Sequence, residues 1–329
     1  MVLKSDITVI VPIYNVENYV SKCLKSLLEQ TYKNFVIWAV DDGSSDDSQK
    51  IIKKYANIDS RLKIIQKSNG GYGSVLEYCI KRITTKYFLV LDPDDWLKKT
   101  ALSELHSFAI TEDLDLVVGD RYNVYVDNYE KKYVKSCTNN LTIKSKVVYN
   151  SQNRIQEFSF FLVSPHAKLF KTEISKNIRI PHGVSYTDFV LYVLSLSNAK
   201  RVMYYDRALA YYLIDRPGNT TTTKKLSAID DYLIGWNSVF DQLHKDKGTG
   251  VLLSRLYTQL EFIMYEYSKV LKEDVNKGYK RKILVAIKSL QSYRKYVSKK
   301  DIGSKLLYYG LMNKFMYKTF AELYIKLKS

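Results

Sequence analysis

The first hundred residues switch repeatedly between two periods of apolar spacing. Ile7–Ile13 is a nearly unbroken apolar, mostly β-branched run that ends at a turn, as a strand buried on both faces would read. In 20–30, Val20, Leu24, Leu27 and Leu28 recur at helical spacing. Residues 35–40 predict a second strand. Ser45 or Asp46 can cap a helix running to about Ala56. Residues 62–65 predict a third strand, 72–83 a helix and 87–91 a fourth strand. Strands alternating with helices over short links imply right-handed crossovers and a mainly parallel sheet. Ligands of such sheets bind beyond the carboxyl ends of the strands. That places the chemistry at 12–15, 41–44, 68–73 and 92–95.

The second part of the chain reads differently. All five prolines lie before residue 218, and a Pro-free stretch is permissive for helices. Leu252, Leu256, Leu260, Ile263 and Tyr267 keep helical spacing, as do Ile302, Leu306, Tyr309, Met312, Phe315 and Met316. About four helices are expected. The polar run 219–225 (NTTTTKK) reads as a linker. The expected division is an α/β domain over 1–222 and a basic, all-helical domain over 223–329.

Composition narrows the function classes. The 329 residues are 46% hydrophobic and 26% charged, as in an ordinary folded protein. There are 51 Lys and Arg against 34 Asp and Glu, a formal charge of +17, which favours anionic partners. From residue 224 onward there are 21 Lys and Arg but only 10 Asp and Glu. Cys23, Cys79 and Cys137 form neither a CxxC pair nor a metal spacing, so a reduced, cytoplasmic setting is expected. No window holds 18 uninterrupted apolar residues, and the apolar run near the start is too short for a secretion signal. Secreted, collagenous and membrane-spanning readings are excluded at this level.

Two acidic clusters carry the strongest chemical signal. Asp41-Asp42-Gly43-Ser44 follows one apolar strand and Asp92-Pro93-Asp94-Asp95 another. Carboxylates at a strand end project into the ligand crevice, and two of them can share Mg2+ or Mn2+. Asp, Gly and Ser are also ordinary turn residues, but two such clusters after two buried-looking strands favour a site. Gly70-Gly71-Tyr72-Gly73 matches neither GxGxxG nor a P-loop, and a plain turn before a helix competes there with a loop whose amides face phosphate.

The order VPIYN, SLLEQTY, WAVDDGSSDDS, KSNGG and FLVLDPDDWL resembles family 2 glycosyltransferases of the GT-A fold. The likeness is specific over about the first 100 residues and weaker to about 222. It implies a nucleotide-diphosphosugar transferase: an α/β, Rossmann-like sheet, a nucleotide-sugar donor, a Mn2+ or Mg2+ cofactor, and inversion at the anomeric carbon. By the same resemblance Pro12, Tyr14 and Asn15 line the base pocket of a UDP-sugar, and Asp42 accepts from the base. Asp92 meets the ribose or a metal-bound water. Asp94 is the direct metal ligand, Asp92 assists and Asp95 supports it. Gly71 belongs to the loop that closes over the donor, and Arg216 clamps the diphosphate. His166 is a further metal or diphosphate contact, with Lys168 bordering the site. Asp188 is the general base, with Thr187 where relatives carry Glu. Leu76-Glu77 stands where many relatives carry an Arg-Asn pair.

The implied acceptor is a hydroxyl of a glycan or glycoprotein in bacterial glycan assembly. Two alternatives stay open: a degenerate module that binds nucleotide or partner chains, and a nucleotidyltransferase on a related sheet. The basic helical part admits a self-association surface, a peripheral contact with the inner face of an anionic membrane, or a plain solvated face. No zinc spacing, RNA-binding signature or helix-turn-helix cue points to nucleic acid.

Overall fold

The computed structural model describes residues 5–137, 142–216, 226–297 and 310–328. Its centre is a ten-stranded sheet in the order β3-β2-β1-β4-β9-β6-β10-β5, with β7 beside β6 and β8 beside β10. The strands are β1 (Ile7–Ile13), β2 (Phe35–Asp41), β3 (Leu62–Gln66), β4 (Tyr87–Val90), β5 (Trp96–Leu97), β6 (Leu116–Tyr125), β7 (Lys131–Val134), β8 (Val148–Tyr149), β9 (Lys168–Lys171) and β10 (Val202–Ile214). The first four are mutually parallel, and β6 runs parallel to β10. Strand β9 is antiparallel to both β4 and β6 and joins the two parallel blocks.

Helices cover both faces because β1 is buried along its whole length. Helices α1 (Val20–Leu28), α2 (Ser48–Ile58) and α4 (Ala101–Thr111) contribute to one apolar cluster, with Leu24, Ile52 and Leu105 against Val9, Ile37 and Leu89. Helices α3 (Tyr72–Arg82), α5 (Gln152–Glu157) and α6 (Asp188–Asn198) contribute to the other. That second cluster continues without a break into α7 (Ser227–Gln242), α8 (Gly250–Lys269), α9 (Gly278–Gln291) and α10 (Tyr317–Lys328). The indole of Trp236, fully buried, donates to the Leu256 carbonyl at 2.9 Å and fastens α7 to α8. The helical part therefore shares the sheet's core. The expected boundary in 219–225 lies outside the described residues, as do Ile302, Leu306 and Tyr309.

Predicted element bounds stand within about two residues in the first ninety positions. The helix for which Ser45 or Asp46 was the expected cap starts at Ser48, and the Asp46 carboxylate accepts from the Ser48 N–H at 3.0 Å. This parallel block puts β1 between β2 and β4, so both acidic clusters sit at the same end of the sheet.

Candidate active site

The turn after β2 is built by its own side chains. Asp41 accepts from the Ser44 N–H at 3.0 Å and from the Gln49 amide at 2.6 Å. Asn15 faces it, its side-chain Oδ1 accepting from the Ser45 N–H at 2.9 Å and its own backbone N–H donating to Ser44 Oγ at 3.2 Å. Asn15 has φ +50, a conformation that Asn tolerates better than most residues. Pro12 is buried at the end of β1, whereas Tyr14 is 51% exposed. This corner leaves the Tyr14 ring facing solvent, where an aromatic can lie against a ligand.

Asp42 organises the glycine turn. Its buried carboxylate accepts from the Gly70 N–H at 3.1 Å, the Gly71 N–H at 2.8 Å and the Lys67 ammonium. Those bonds fold the glycine turn inward. The Gly71 amide donates to Asp42 in this arrangement. Gly71 has φ +81 and a Cβ there would stand 3.1 Å from Gly183 N, so only glycine fits. The next residue, Tyr72, donates from its hydroxyl to Asp92 Oδ1 at 2.9 Å. Gly71 and Tyr72 thus link the two acidic clusters through consecutive residues. Leu76 is buried and Glu77 bonds Lys81 and His182, so these two positions of α3 supply no cation.

The second cluster concentrates negative charge. Burial, then repulsion from Asp188 and Asp94, pushes the Asp92 carboxyl well above the usual range. Burial, then Asp94 and Asp92, does the same to Asp95. Asp94 is not grouped with them: the Arg216 guanidinium binds it, and that guanidinium also lies 5.0 Å from the Tyr19 ring centroid. Arg216 thus rests on a carboxylate of the second cluster. The rest of its expected loop, 217–220, lies outside the described residues.

His166 joins Asp92 and Asp95, and one ligand atom from each lies within 4.8 Å of the others. The hydrogen bonds fix its tautomer. Arg121 Nη1 can only donate, and it meets His166 Nδ1 at 3.0 Å. The ring proton is therefore on Nε2, donated to Asp95 Oδ2 at 2.5 Å. Burial, then the Arg121 and Lys168 charges, holds the imidazole well below its usual pKa, consistent with the neutral form. Both nitrogens are engaged in hydrogen bonds in this arrangement, so His166 would have to give one of them up to bind a cation. Asp95 Oδ1 also takes the Leu213 N–H at 2.8 Å, pinning β10 beneath the motif.

Asp188 opens α6, directly after Thr187 at the N-cap. It does not cap the helix. Its Oδ1 is buried and has no hydrogen-bond partner. Burial raises its carboxyl to about 6, against the opposing pull of the Tyr72 hydroxyl and Lys168. Lys168 is fully buried, donates to the Ser164 carbonyl, and is brought down to about 7 by burial and by Arg121. Sequence reasoning did not find Tyr72 or Arg121 as site residues. Tyr72 hides in a glycine-rich turn, and Arg121 in the middle of a strand where only the antiparallel β9 pairing brings it to His166.

The sequence profile of Glycosyl transferase family 2 matches residues 8–179, just over half of the chain. The chain belongs to this family. Among curated relatives, glycosyltransferase GlyA of Streptococcus pneumoniae is 30% identical over 245 residues, covering 70% of this chain and 34% of GlyA. Glycosyltransferase GlyG of the same organism is 31% identical over 188 residues, covering 55% of this chain and 62% of GlyG. The chain thus spans about a third of the first relative and less than two thirds of the second. The crystal structure of Staphylococcus aureus TarS 1–349 in complex with UDP-GlcNAc superimposes with a TM-score of 0.71 at 21% identity, covering 97% of this chain and 91% of that one. The fold is the GT-A fold with a helical C-terminal region. For a family 2 chain, the carboxylates at the ends of β2 and β4 occupy the place where open α/β sheets hold ligands.

Proposed function

We propose that the chain transfers a sugar, with inversion, from a nucleotide-sugar donor to a hydroxyl of a glycan or glycoprotein in bacterial glycan assembly. The donor class we favour is a UDP-sugar. Family membership supports the reaction class. The TarS complexes with UDP-GlcNAc and with UDP, which share this fold, support the donor class.

One observation carries the reading: Asp188 presents a buried, unpartnered carboxylate oxygen and has its carboxyl raised to about 6. A general base works best when its pKa approaches the operating pH and one oxygen is free to meet the proton it removes. Asp188 Oδ1 removes the acceptor hydroxyl proton as that oxygen attacks the anomeric carbon. The bond to the leaving diphosphate breaks on the opposite face. Tyr72 holds Asp92 and steadies the ionised form of Asp188, and Lys168 adds a nearby positive charge. Tyr14 supplies an exposed ring for the nucleobase, next to the Asn15 corner.

The crowded carboxylates fit a divalent cation. Burial and neighbouring carboxylates push Asp92 and Asp95 above the usual carboxylate range, a cost that a hard cation would relieve. Mn2+ or Mg2+ would be held through the Asp92 carboxylate, with Asp94 available on exchange for Arg216. His166 and Asp95 brace that motif from behind. When bound, such an ion supplies a Lewis acid for the departing diphosphate.

The test is UDP release from a panel of UDP-sugars with an acceptor mixture, for wild type and Asp188→Asn, followed by mass spectrometry of the product. Wild-type turnover with a β-linked product, lost in the variant, supports the reading. A variant as active as wild type removes Asp188 from the reaction, and tight UDP binding without any turnover favours the degenerate-module alternative.

A further inference from the structure

The segment that carries Asp188 is held in a conformation its sequence does not favour. Tyr186, two residues before Asp188, has φ +62. A large side chain enters this left-handed region at a cost, and it stays there only where the surroundings impose it. Thr187 follows at the N-cap of α6, its carbonyl accepting from the Val190 and Leu191 amides at 3.0 and 3.1 Å. The direction in which the chain leaves Tyr186 therefore sets the first turn of α6, and Asp188 with it.

The restraint comes from α7. Its Asp231 carboxylate accepts from the Ser185 N–H at 3.2 Å. Its Tyr232 ring stacks on the Tyr186 ring, with centroids 4.3 Å apart and planes at 26°. Phe262 of α8 meets Tyr232 edge-on at 5.2 Å, so a second helix backs the pair. Leu233 and Trp236 of α7 are buried in one cluster with Val190 and Leu191 of α6. Asp230 pairs with Lys282 of α9 at 2.5 Å. Consecutive residues of a well-anchored helix thus hold consecutive residues of the segment before Asp188.

We infer that Asp231 and Tyr232 are positioning residues for the base, which makes the helical C-terminal region part of the active site. They act on Asp188 through Ser185 and Tyr186. Asp188 Oδ1 makes no hydrogen bond of its own, so its direction depends on the backbone that carries it as well as on Tyr72. Misplacing such a group by about 1 Å costs turnover steeply. The proposed donor and cation residues Tyr14, Asn15 and Asp92 belong to the turns after β1 and β4, so donor binding survives the loss of either positioning residue. A packing role alone would lower stability and leave the turnover of the folded enzyme unchanged. The inference rests on the reading of Asp188 as the base.

The experiment is steady-state UDP release by the full chain from a panel of UDP-sugars with an acceptor mixture, with circular dichroism and calorimetric titration of UDP alongside. The variants are Tyr232→Ala, Tyr232→Phe, Asp231→Ala and Asp188→Asn. Tyr232→Ala should lower kcat by about ten-fold or more while donor KM and UDP affinity stay within about two-fold. Asp231→Ala should show the same split with a smaller loss. Tyr232→Phe keeps the stacked ring and should restore kcat to within about three-fold of wild type. Wild-type kcat in both alanine variants, with Asp188→Asn inactive, overturns this inference and leaves the base reading standing. So does a loss that Tyr232→Phe shares in full, or one matched by weaker UDP binding. Should Tyr232→Ala not fold, Asp231→Ala decides, since it removes one hydrogen bond and little packing. Asp188→Asn as active as wild type, or no wild-type turnover with any donor, overturns the base reading and this inference with it.

Discussion

The Tyr72 hydroxyl donates to Asp92 at 2.9 Å, and Asp188 lies close enough to the same hydroxyl to feel it as a hydrogen-bond partner. Burial and these two carboxylates push the phenol well above its usual range, so it stays a proton donor throughout neutral pH. Removing that donor in Tyr72→Phe leaves both carboxylates with less support for their charge. For Asp188 the sign is upward, from about 6. Activity that needs the ionised base rises with pH through that value. The acid limb of kcat/KM for UDP release should therefore move to higher pH in Tyr72→Phe, with a loss of about 10-fold or more at pH near 6 and a smaller one at higher pH. A purely structural role would lower the whole profile without moving the limb.

Asp188→Asn separates chemistry from stability. The amide cannot take a proton, so turnover should fall by about 10²–10⁴-fold. Burial disfavours the carboxylate that the amide replaces, so the thermal midpoint near neutral pH should hold or rise. A variant that loses activity because it unfolds would contradict this assignment, and calorimetry alongside UDP release tells the two apart.

The metal reading predicts that a chelator abolishes turnover and that Mn2+ restores it. Asp92→Asn should raise the Mn2+ concentration for half-maximal rate by about 10-fold or more. His166→Gln, acting through Asp95, should produce a smaller shift of the same sign. Full activity after exhaustive chelation would remove the cation from the proposed reaction.

Gly73→Ala tests the packing under the site. A methyl group at Gly73 would run into the Pro181 carbonyl oxygen and press on Ile180 and Thr187. The neighbours are backbone and a helix cap, so they cannot yield cheaply. A destabilisation of about 1–3 kcal/mol is expected, read in urea unfolding, together with lower turnover because Thr187 precedes the base.

The parallel half of the sheet was legible because its strands are buried on both faces and its helices show one apolar side. Ile7–Ile13 and Tyr72–Arg82 emerge almost as their periodicity indicates. The position of both acidic clusters at one end of the sheet was legible for the same reason: strand ends are readable in a sequence. Hydrogen-bond partners were not. Asp42 and Asp95 look alike in the chain, yet one folds a glycine turn and the other braces a histidine. Those roles depend on Gly71 and His166, which are far from their aspartates in the chain and meet them only across the folded sheet. Arg216 meets Asp94, which lies just before β5, the strand beside β10, and 122 positions away in the chain.

The Gly183 amide donates to the Gly70 carbonyl at 2.9 Å. Through this bond the glycine turn and the segment leading to Asp188 are tied together. If the chain acts as proposed, a shift of the turn on donor binding is expected to move that segment with it, so that donor binding and the setting of the base are linked.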